Sequence, residues 1–334
     1  MDYTSIIGME IPLKRATFAV NFGGKTYDLR RFVRDHPGGI NTLEKFRGKP
    51  IGQVMKLYGH SDSAYHMLND FRVEIMHHDE NEHKFMFDLF QSRLDWSKPL
   101  LGQLQQVAPH YGQWVNSAVY RRCRLFASPV LESLTFTPWY IVPMFWIPII
   151  VYSCEEARLS GLEFVGHVVF GVFLWTLLEY SLHRWVFHHD PGSSLILIQL
   201  HFLIHGMHHK VPFDGLRQVF PPIPALLLAV VLYLPASLLF THPMIKLTGA
   251  LIGYLTYDMI HYYVHHGAPR DGTYLYAMKR YHSNHHFLNH DKALLILIFT
   301  YLPNWLFFMM WGLVLELSKT RVNFVFHSRR SILL

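Results

Sequence analysis

Three histidines fall within five positions in HSNHH, residues 282–286, and similar crowding occurs in HGMHH at 205–209, HYYVHH at 261–266 and HRWVFHH at 183–189. On an α-helix, residues four apart lie about 40° from each other around the axis, and residues three apart about 60°. HSNHH and HGMHH therefore each place three imidazoles on one helix face, and HYYVHH places two. Neutral imidazole is the commonest metal ligand among side chains, so each face suits one metal ion.

HRWVFHH fits this pattern less well, because His183 and His188 are five residues apart. A regular helix separates them by about 140°, so both bind one ion only if the helix ends or loosens there, which Pro191 and Gly192 permit. A lone histidine near a membrane is usually an interfacial or hydrogen-bonded residue, but clustering on this scale favours metal binding. We interpret the histidines outside the repeated spacings as supporting or structural residues: His189, His201, His266 and His290.

Composition indicates an integral membrane protein. The chain has 334 residues, of which 51% are hydrophobic and only 16% charged, which is apolar for a soluble protein. The net charge of +6 comes from scattered basic residues with no basic stripe, which argues against a nucleic-acid partner and fits the positive-inside bias of membrane proteins. Two cysteines, Cys123 and Cys154, are too few for a disulfide framework and disfavour thiolate metal ligation.

The distribution of apolar residues predicts a mainly α chain in three parts. Residues 1–75 form a small water-soluble α+β domain, since they mix a strand-like opening, a glycine turn and short amphipathic helices. Residues 76–135 form a linker with amphipathic, interfacial helices, and residues 136–334 an all-α membrane domain. Apolar runs close to the ~20 residues that a spanning helix needs predict multiple passes at 138–153, 162–180, 222–240 and 243–260.

Charges around these runs predict the topology. The basic stretch YRRCR at 120–124 precedes the first run, whereas CEEAR at 154–158 is nearly neutral, so the runs form two hairpins that return the chain to the cytosolic side. All four histidine stretches follow or flank run ends, which predicts a cytosolic, histidine-rich helical cap. A fifth apolar run at 294–316 would place the basic tail on the luminal side if it spans. That position would conflict with the positive-inside bias. The conflict disappears if the segment around Pro303 is re-entrant or interfacial, and an alternative splice product or a misassigned exon would also explain the run.

The order of the histidine spacings, HxxxxH, HxxHH, HxxxH and HxxHH, resembles the fatty acid 2-hydroxylases of the fatty acid hydroxylase and sterol desaturase superfamily. LDWSKPLL at 94–101, RLFASPVLESL at 124–134 and RQVFPP at 217–222 share this resemblance. The resemblance implies a set of metal ligands shared between two ions: His183, His188, His205, His208, His209, His261, His265, His282, His285 and His286. Asp258, one helical turn before His261, is a candidate to orient an imidazole, and a helix-end charge is the alternative.

The N-terminal part contains a second histidine pattern. HPGG at 36–39 is weak alone, because Pro-Gly-Gly marks any tight turn, but His60 follows in YGHSDS and YDLRRFVRD precedes it at 27–35. Together these stretches resemble the cytochrome b5 haem domain. The resemblance implies that His36 and His60 are the axial ligands of haem b and that His66 is a surface residue. A haem with both axial positions filled suits electron transfer better than oxygen activation.

A fused electron carrier indicates the type of chemistry. Breaking an unactivated C–H bond with dioxygen needs a redox metal and two electrons, whereas a zinc hydrolase needs no electrons. The sequence therefore predicts an oxygenase with two non-haem iron ions, although imidazole also suits zinc, which can replace iron in a purified sample. The family resemblance implies dioxygen-dependent 2-hydroxylation of long-chain fatty acids or acyl chains for 2-hydroxy sphingolipids and ceramides. It further implies the endoplasmic reticulum membrane, with a cytosolic haem domain, and electrons from NADPH through a separate reductase.

Other functions stay open on sequence alone. A lipid desaturase or a sterol or methyl oxidase would use the same histidines and dioxygen. A zinc membrane hydrolase would need neither haem nor dioxygen, and a haem or metal carrier would catalyse no reaction. Arg184, Lys210 and Arg217 are candidate partners for a substrate carboxylate or head group, or else positive-inside anchors at the bilayer surface.

Overall fold

A small α+β unit begins the computed structural model, which describes residues 18–73, 93–288 and 290. Strands β1 (Ala19–Phe22) and β2 (Lys25–Asp28) pair antiparallel across a two-glycine turn. Three short helices follow: α1 (Ile40–Glu44), α2 (Gly52–Leu57) and α3 (Asp62–Leu68). Their apolar faces enclose a core of buried side chains that includes Phe18, Val20, Phe32 and Phe71. The predicted α+β character of this part is confirmed.

The segment 93–135 packs on the helix that carries the HGMHH stretch. It contains 3-10 turns at Leu101–Gln106 and Ala108–His110 and the short helices α4 (Tyr111–Val115) and α5 (Pro129–Ser133). Trp114 and Leu104 are fully buried in one apolar cluster with Ile198 and Phe202 of that helix. This burial fixes the segment in place, because moving it away would return large apolar surfaces to solvent.

Four longer helices form the scaffold: α6 (Ile141–Glu155), α7 (Gly161–Leu182), α10 (Pro222–Leu239) and α11 (Pro243–His266). Helices α7 and α11 cross closely at Gly171 and Gly249. A Cβ atom on Gly171 would overlap the carbonyl oxygen of Lys246, and one on Gly249 would overlap that of Val168. Small residues permit such an approach of two helix backbones, and the crossing brings the C-terminal ends of both helices to one region.

Two described helices are long and apolar enough to cross a membrane, namely Gly161–Phe187 and Pro222–Leu239. They correspond to the predicted spans at 162–180 and 222–240. The run at 138–153 forms a shorter apolar helix, α6, and the run at 243–260 forms part of α11, which carries the buried charged residues Lys246 and Asp258. The predicted run at 294–316 lies outside the described residues. A multi-pass membrane domain therefore stays a prediction.

The histidine stretches occupy helix ends. Helix α7 continues as a π-turn at His183–Phe187, and α8 (Leu195–His201) continues through a second π-turn at Phe202–Gly206 into α9 (Met207–Lys210). The other two stretches end α11 and α12 (Tyr274–Phe287), the latter capped at its start by the Thr273 hydroxyl. The mainly helical architecture is confirmed, and its helix ends position the candidate site.

Candidate metal centre and haem site

The π-turn at His183–Phe187 resolves the five-residue spacing of His183 and His188. In a π-turn the backbone hydrogen bonds join residues five apart, so side chains at that spacing share a side of the helix. The two ring centres lie 4.7 Å apart. The expectation that the helix loosens here is confirmed, although the change begins within the helix itself, ahead of Pro191 and Gly192.

Five of the predicted ligands form the first imidazole group, which joins three helix ends: His208, His261, His265, His282 and His286. The Nε2 atom of His282 lies 2.7 Å from that of His265, 2.9 Å from that of His286 and 3.1 Å from that of His261. All five side chains are buried. Histidines from three separate chain segments thus direct their Nε2 atoms toward one point.

Four more predicted ligands form the second imidazole group: His183, His188, His205 and His285. The tenth, His209, lies between the groups, because its Nε2 is 3.1 Å from Nε2 of His205 and its ring centre is 4.5 Å from that of His286. The structure therefore brings all ten predicted residues into two adjacent groups. Their role as ligands stays a prediction.

The spacing of the nitrogen atoms fits metal ligation. Imidazole nitrogens bind a zinc ion at about 2.0–2.1 Å, so two ligand nitrogens at right angles lie about 2.9 Å apart. The observed distances between Nε2 atoms, 2.7 to 3.1 Å, include this value. Burial and the neighbouring imidazoles hold the pKa of His205, His208 and His282 well below 6.5. These rings are therefore neutral at physiological pH, which is the form that binds a metal ion.

Gln218 orients one of the imidazoles. Its Oε1 lies 2.7 Å from Nδ1 of His208, and its Nε2 donates to the carbonyl of Val211 at 3.0 Å. Because this amide oxygen can only accept, Nδ1 of His208 carries the proton and Nε2 is left for a metal ion. Sequence reasoning missed Gln218, although it stands in the RQVFPP stretch whose family resemblance was noted.

Asp258 has a different role from the predicted one. Its carboxylate accepts the backbone N–H of Phe220 at 3.3 Å, and the Tyr254 hydroxyl donates to the carbonyl of Phe220 at 3.2 Å. Among the described residues, the Asp258 carboxylate makes no hydrogen bond to an imidazole. Asp258 and Tyr254 instead fix the backbone two residues after Gln218, so they support His208 indirectly.

Lys210 and Arg217 are structural, which corrects both interpretations of these cations. The Lys210 ammonium is fully buried and donates to the carbonyls of Trp114 and Ser117 at 2.8 and 2.5 Å. The Arg217 guanidinium is buried against Glu132 and donates to the carbonyl of Cys123 at 3.1 Å. Neither side chain is available to a lipid head group. Arg184 is half-buried, and its proposed role stays a prediction.

The remaining histidines near the centre surround it. The Tyr111 hydroxyl lies 2.7 Å from Nδ1 of His201, and His266 packs on the ring of Tyr262. His290 lies 6.0 Å from His209 between ring centres, and His189 is exposed. These positions agree with their interpretation as supporting or structural residues.

His36 and His60 face each other in the small α+β unit. Their rings are nearly parallel, at 24°, with centres 6.1 Å apart. Axial bonds of about 2 Å on both sides of a haem iron place two imidazole centres about 6 Å apart, so the pair fits a haem. Nδ1 of His60 lies 3.0 Å from the carbonyl of Met55, which leaves Nε2 for the iron. His66 is half-buried on α3, outside the pair.

The HPGG turn has a steric reason. A Cβ atom on Gly38 would lie 2.9 Å from Cε1 of His36, so a larger residue would displace the ring. The pKa of His36 is lowered to about 3, chiefly because burial disfavours the charged ring and also because His60 and Lys279 repel it. A neutral imidazole is the form that an axial haem ligand requires.

Comparison with known proteins agrees with both parts of the site. Residues 168–311 match the family model "Fatty acid hydroxylase", and residues 15–77 match "Cytochrome b5-like Heme/Steroid binding domain". Fatty acid 2-hydroxylase of Macaca fascicularis is 37% identical over 82% of this chain and 86% of its own length. The chain belongs to the fatty acid hydroxylase family.

Other members of the fatty acid hydroxylase family extend the comparison. Ceramide very long chain fatty acid hydroxylase SCS7 of Saccharomyces cerevisiae is 31% identical over 80% of this chain and 84% of its own length. A solved structure of full-length scs7p, with only the hydroxylase domain visible, has a TM-score of 0.56 at 32% identity and covers 66% of this chain and 84% of that chain. The predicted family resemblance is confirmed. The domain boundaries at 75 and 135 stay predictions.

Proposed function

We propose that this fatty acid hydroxylase uses dioxygen to hydroxylate carbon 2 of long-chain fatty acids or ceramide acyl chains, and so makes 2-hydroxy sphingolipids. The observation that carries the proposal is the pair of imidazole groups beside a second histidine pair that fits a haem. A hydrolase would have no use for the haem pair. The names of the relatives, fatty acid 2-hydroxylase and ceramide very long chain fatty acid hydroxylase, support the choice of reaction and substrate class.

The two imidazole groups would hold one non-haem iron ion each, with His209 between them. When bound, such ions supply the redox chemistry that dioxygen activation requires. The residues of this chain hold the ligand rings neutral, and Gln218 orients His208. His36 and His60 would hold haem b, which would supply electron transfer from NADPH by way of a separate reductase. Zinc suits the same nitrogen atoms and would occupy them without supporting the reaction.

An exposed apolar surface beside the centre supports a lipid substrate. On α8, Ile196 and Leu200 are exposed, while Ile198 is fully buried on the opposite side. A helix that is apolar on both sides suits a position between a protein core and lipid. Trp185, in the π-turn beside His183, is 59% exposed and extends this surface. We place the surface in the endoplasmic reticulum membrane, where an acyl chain enters from the bilayer toward a cytosolic centre.

Lipid analysis of cells that lack 2-hydroxy sphingolipids tests the proposal. Expression of the chain should restore 2-hydroxylated ceramides, measured by mass spectrometry, and His285→Ala and His36→Ala should abolish most of this product. His189→Ala, an exposed histidine outside both groups, is the matched control. New double bonds or altered sterols would point to a desaturase or sterol oxidase. A lipid product that forms without dioxygen would point to a hydrolase. An unchanged lipid composition would point to a haem or metal carrier.

A further inference from the structure

The small α+β unit at residues 18–73, called here the haem-type unit, is docked on residues 93–288, called here the hydroxylase part, through Tyr120 and Arg121. The backbone N–H of Tyr120 donates to one carboxylate oxygen of Asp70 at 2.9 Å, and the Arg121 guanidinium binds the other at 2.9 Å. The Tyr120 ring contacts Phe71, with centres 4.8 Å apart. The preceding residue, Val119, donates its N–H to the carbonyl of Lys210, directly after His209. One short segment therefore joins the haem-type unit to the helix that carries the metal-centre histidines.

Three phenylalanine rings lie in a row between the two sites. Phe32, whose carbonyl accepts the N–H of His36 at 3.0 Å, has its ring centre 5.8 Å from that of His36 and 5.5 Å from that of Phe213. Phe213 stacks at 19° on Phe287, with centres 6.3 Å apart. Phe287 directly follows His286, and their ring centres are also 6.3 Å apart. The row thus begins at a haem-ligand histidine and ends at a histidine of the first imidazole group.

We propose that Phe32, Phe213 and Phe287 form the route by which electrons cross from the haem to the metal centre. This inference rests on the proposed function, which requires electrons at that centre. In each transfer, ferrous haem loses one electron and becomes ferric, and one ferric ion of the centre becomes ferrous. Two such transfers, each followed by re-reduction of the haem by the external reductase, supply the two electrons that one dioxygen requires. The rings themselves are neither oxidised nor reduced, because each electron tunnels past them, and their π-electron systems provide the electronic coupling between the two sites.

The position of Phe213 favours this role over simple packing. It belongs to neither site, since it stands in the loop between α9 and α10, yet it touches the haem-type unit through Phe32 and the hydroxylase part through Phe287. If Phe213 served only for apolar packing, an aliphatic side chain of similar volume would provide the same packing. A leucine at this position therefore separates the two roles, because it keeps the contact and removes the ring.

The test follows the haem directly and needs no lipid. In the holoprotein with an oxidised metal centre, a photosensitiser flash reduces the haem anaerobically, and the decay of the ferrous haem absorbance gives the transfer rate. Hydrogen exchange of the amides 116–122 reports docking, since the Tyr120 amide is bonded across the interface. We compare Phe213→Leu with Phe213→Tyr, which keeps a ring, and with Phe126→Leu, a partly buried phenylalanine off the route. Asp70→Ala removes the carboxylate that binds the Tyr120 N–H and the Arg121 guanidinium.

We expect Phe213→Leu to slow haem reoxidation several-fold with unchanged amide protection and metal content, while Phe213→Tyr and Phe126→Leu keep the original rate. Asp70→Ala should lose both protection and rapid transfer. If Phe213→Leu also loses amide protection, the haem reoxidation rate of Phe287→Leu tests the route instead, because Phe287 lies on the route and contacts Phe213 within the hydroxylase part. Unchanged reoxidation in the docked leucine variants would overturn the route. Because the assay uses no lipid, a different lipid product would refute the proposed function and leave this result standing.

Discussion

Replacing Gln218 by methionine should weaken metal binding at the first imidazole group. Methionine has a similar length and fills the same space, but its sulfur is only a weak acceptor for the Nδ1–H of His208 and cannot donate to the carbonyl of Val211. Both groups are buried, and a buried polar group without a partner costs roughly 1–3 kcal/mol. The His208 ring would lose the contact that fixes its orientation and leaves Nε2 for the metal.

The expected size follows from these contacts. Loss of a residue that orients a metal ligand reduces metal affinity by about 10- to 100-fold, which corresponds to about 1.4–2.8 kcal/mol and agrees with the cost of an unpartnered imidazole. Competition with a chelator, followed by elemental analysis, measures the affinity. Gln199→Met is the matched control, because it removes a single amide hydrogen bond to the carbonyl of Leu101 and touches no ligand. Equal metal affinity in Gln218→Met and Gln199→Met would refute the reasoning.

Three further outcomes follow from the same contacts. Lys210→Met leaves the buried carbonyl of Ser117 without its donor, whereas the carbonyl of Trp114 keeps the Ser117 hydroxyl at 2.7 Å, so the free energy of unfolding should fall by roughly 1–3 kcal/mol; a denaturation midpoint equal to that of the parent would contradict this. His36→Ala should lose the haem absorbance and most activity while the helical part keeps its melting temperature, whereas His208→Ala should lower that temperature in the metal-loaded protein. Burial raises the pKa of the Cys123 thiol to about 12, so at pH 8 only about one molecule in ten thousand carries the reactive thiolate. Maleimide should then modify half-buried Cys154 well before Cys123, and equal labelling by mass spectrometry would disprove it.

The expectation that each trio of histidines holds one ion is wrong, because His205 and His285 belong to the second imidazole group and their neighbours His208, His282 and His286 to the first. Helix periodicity does bring histidines four residues apart together, because neighbouring turns fix their faces without help from the rest of the fold. His205 and His209, four residues apart, point the same way for this reason alone, and their Nε2 atoms meet at 3.1 Å. Which groups meet each other depends on long-range packing. The close crossing of α7 and α11 at Gly171 and Gly249 brings His183 and His261 to one region, and the spacing of histidines contains no information about that crossing.

The supporting residues could not be predicted for a related reason. Lys210 binds the carbonyl of Trp114, which is 96 residues away in the sequence, and no local pattern links the two. Basic residues near apolar runs usually reach toward lipid head groups, so burial of Lys210 reversed the ordinary expectation. Asp258 shares a helix with His261, but its carboxylate turns to the backbone of Phe220, and Gln218 from another segment takes the orienting role.

Metal analysis of the chain expressed in iron-rich medium and purified anaerobically tests the central claim most directly. Elemental analysis combined with X-ray absorption should find two non-haem iron ions per chain, beside one haem iron, with nitrogen neighbours at about 2.0–2.1 Å. Ala replacements of His282 and His285, one from each group, should each remove one ion. Full-length protein that binds no metal beyond the haem, or whose metal has oxygen or sulfur neighbours in place of imidazole, would contradict the account.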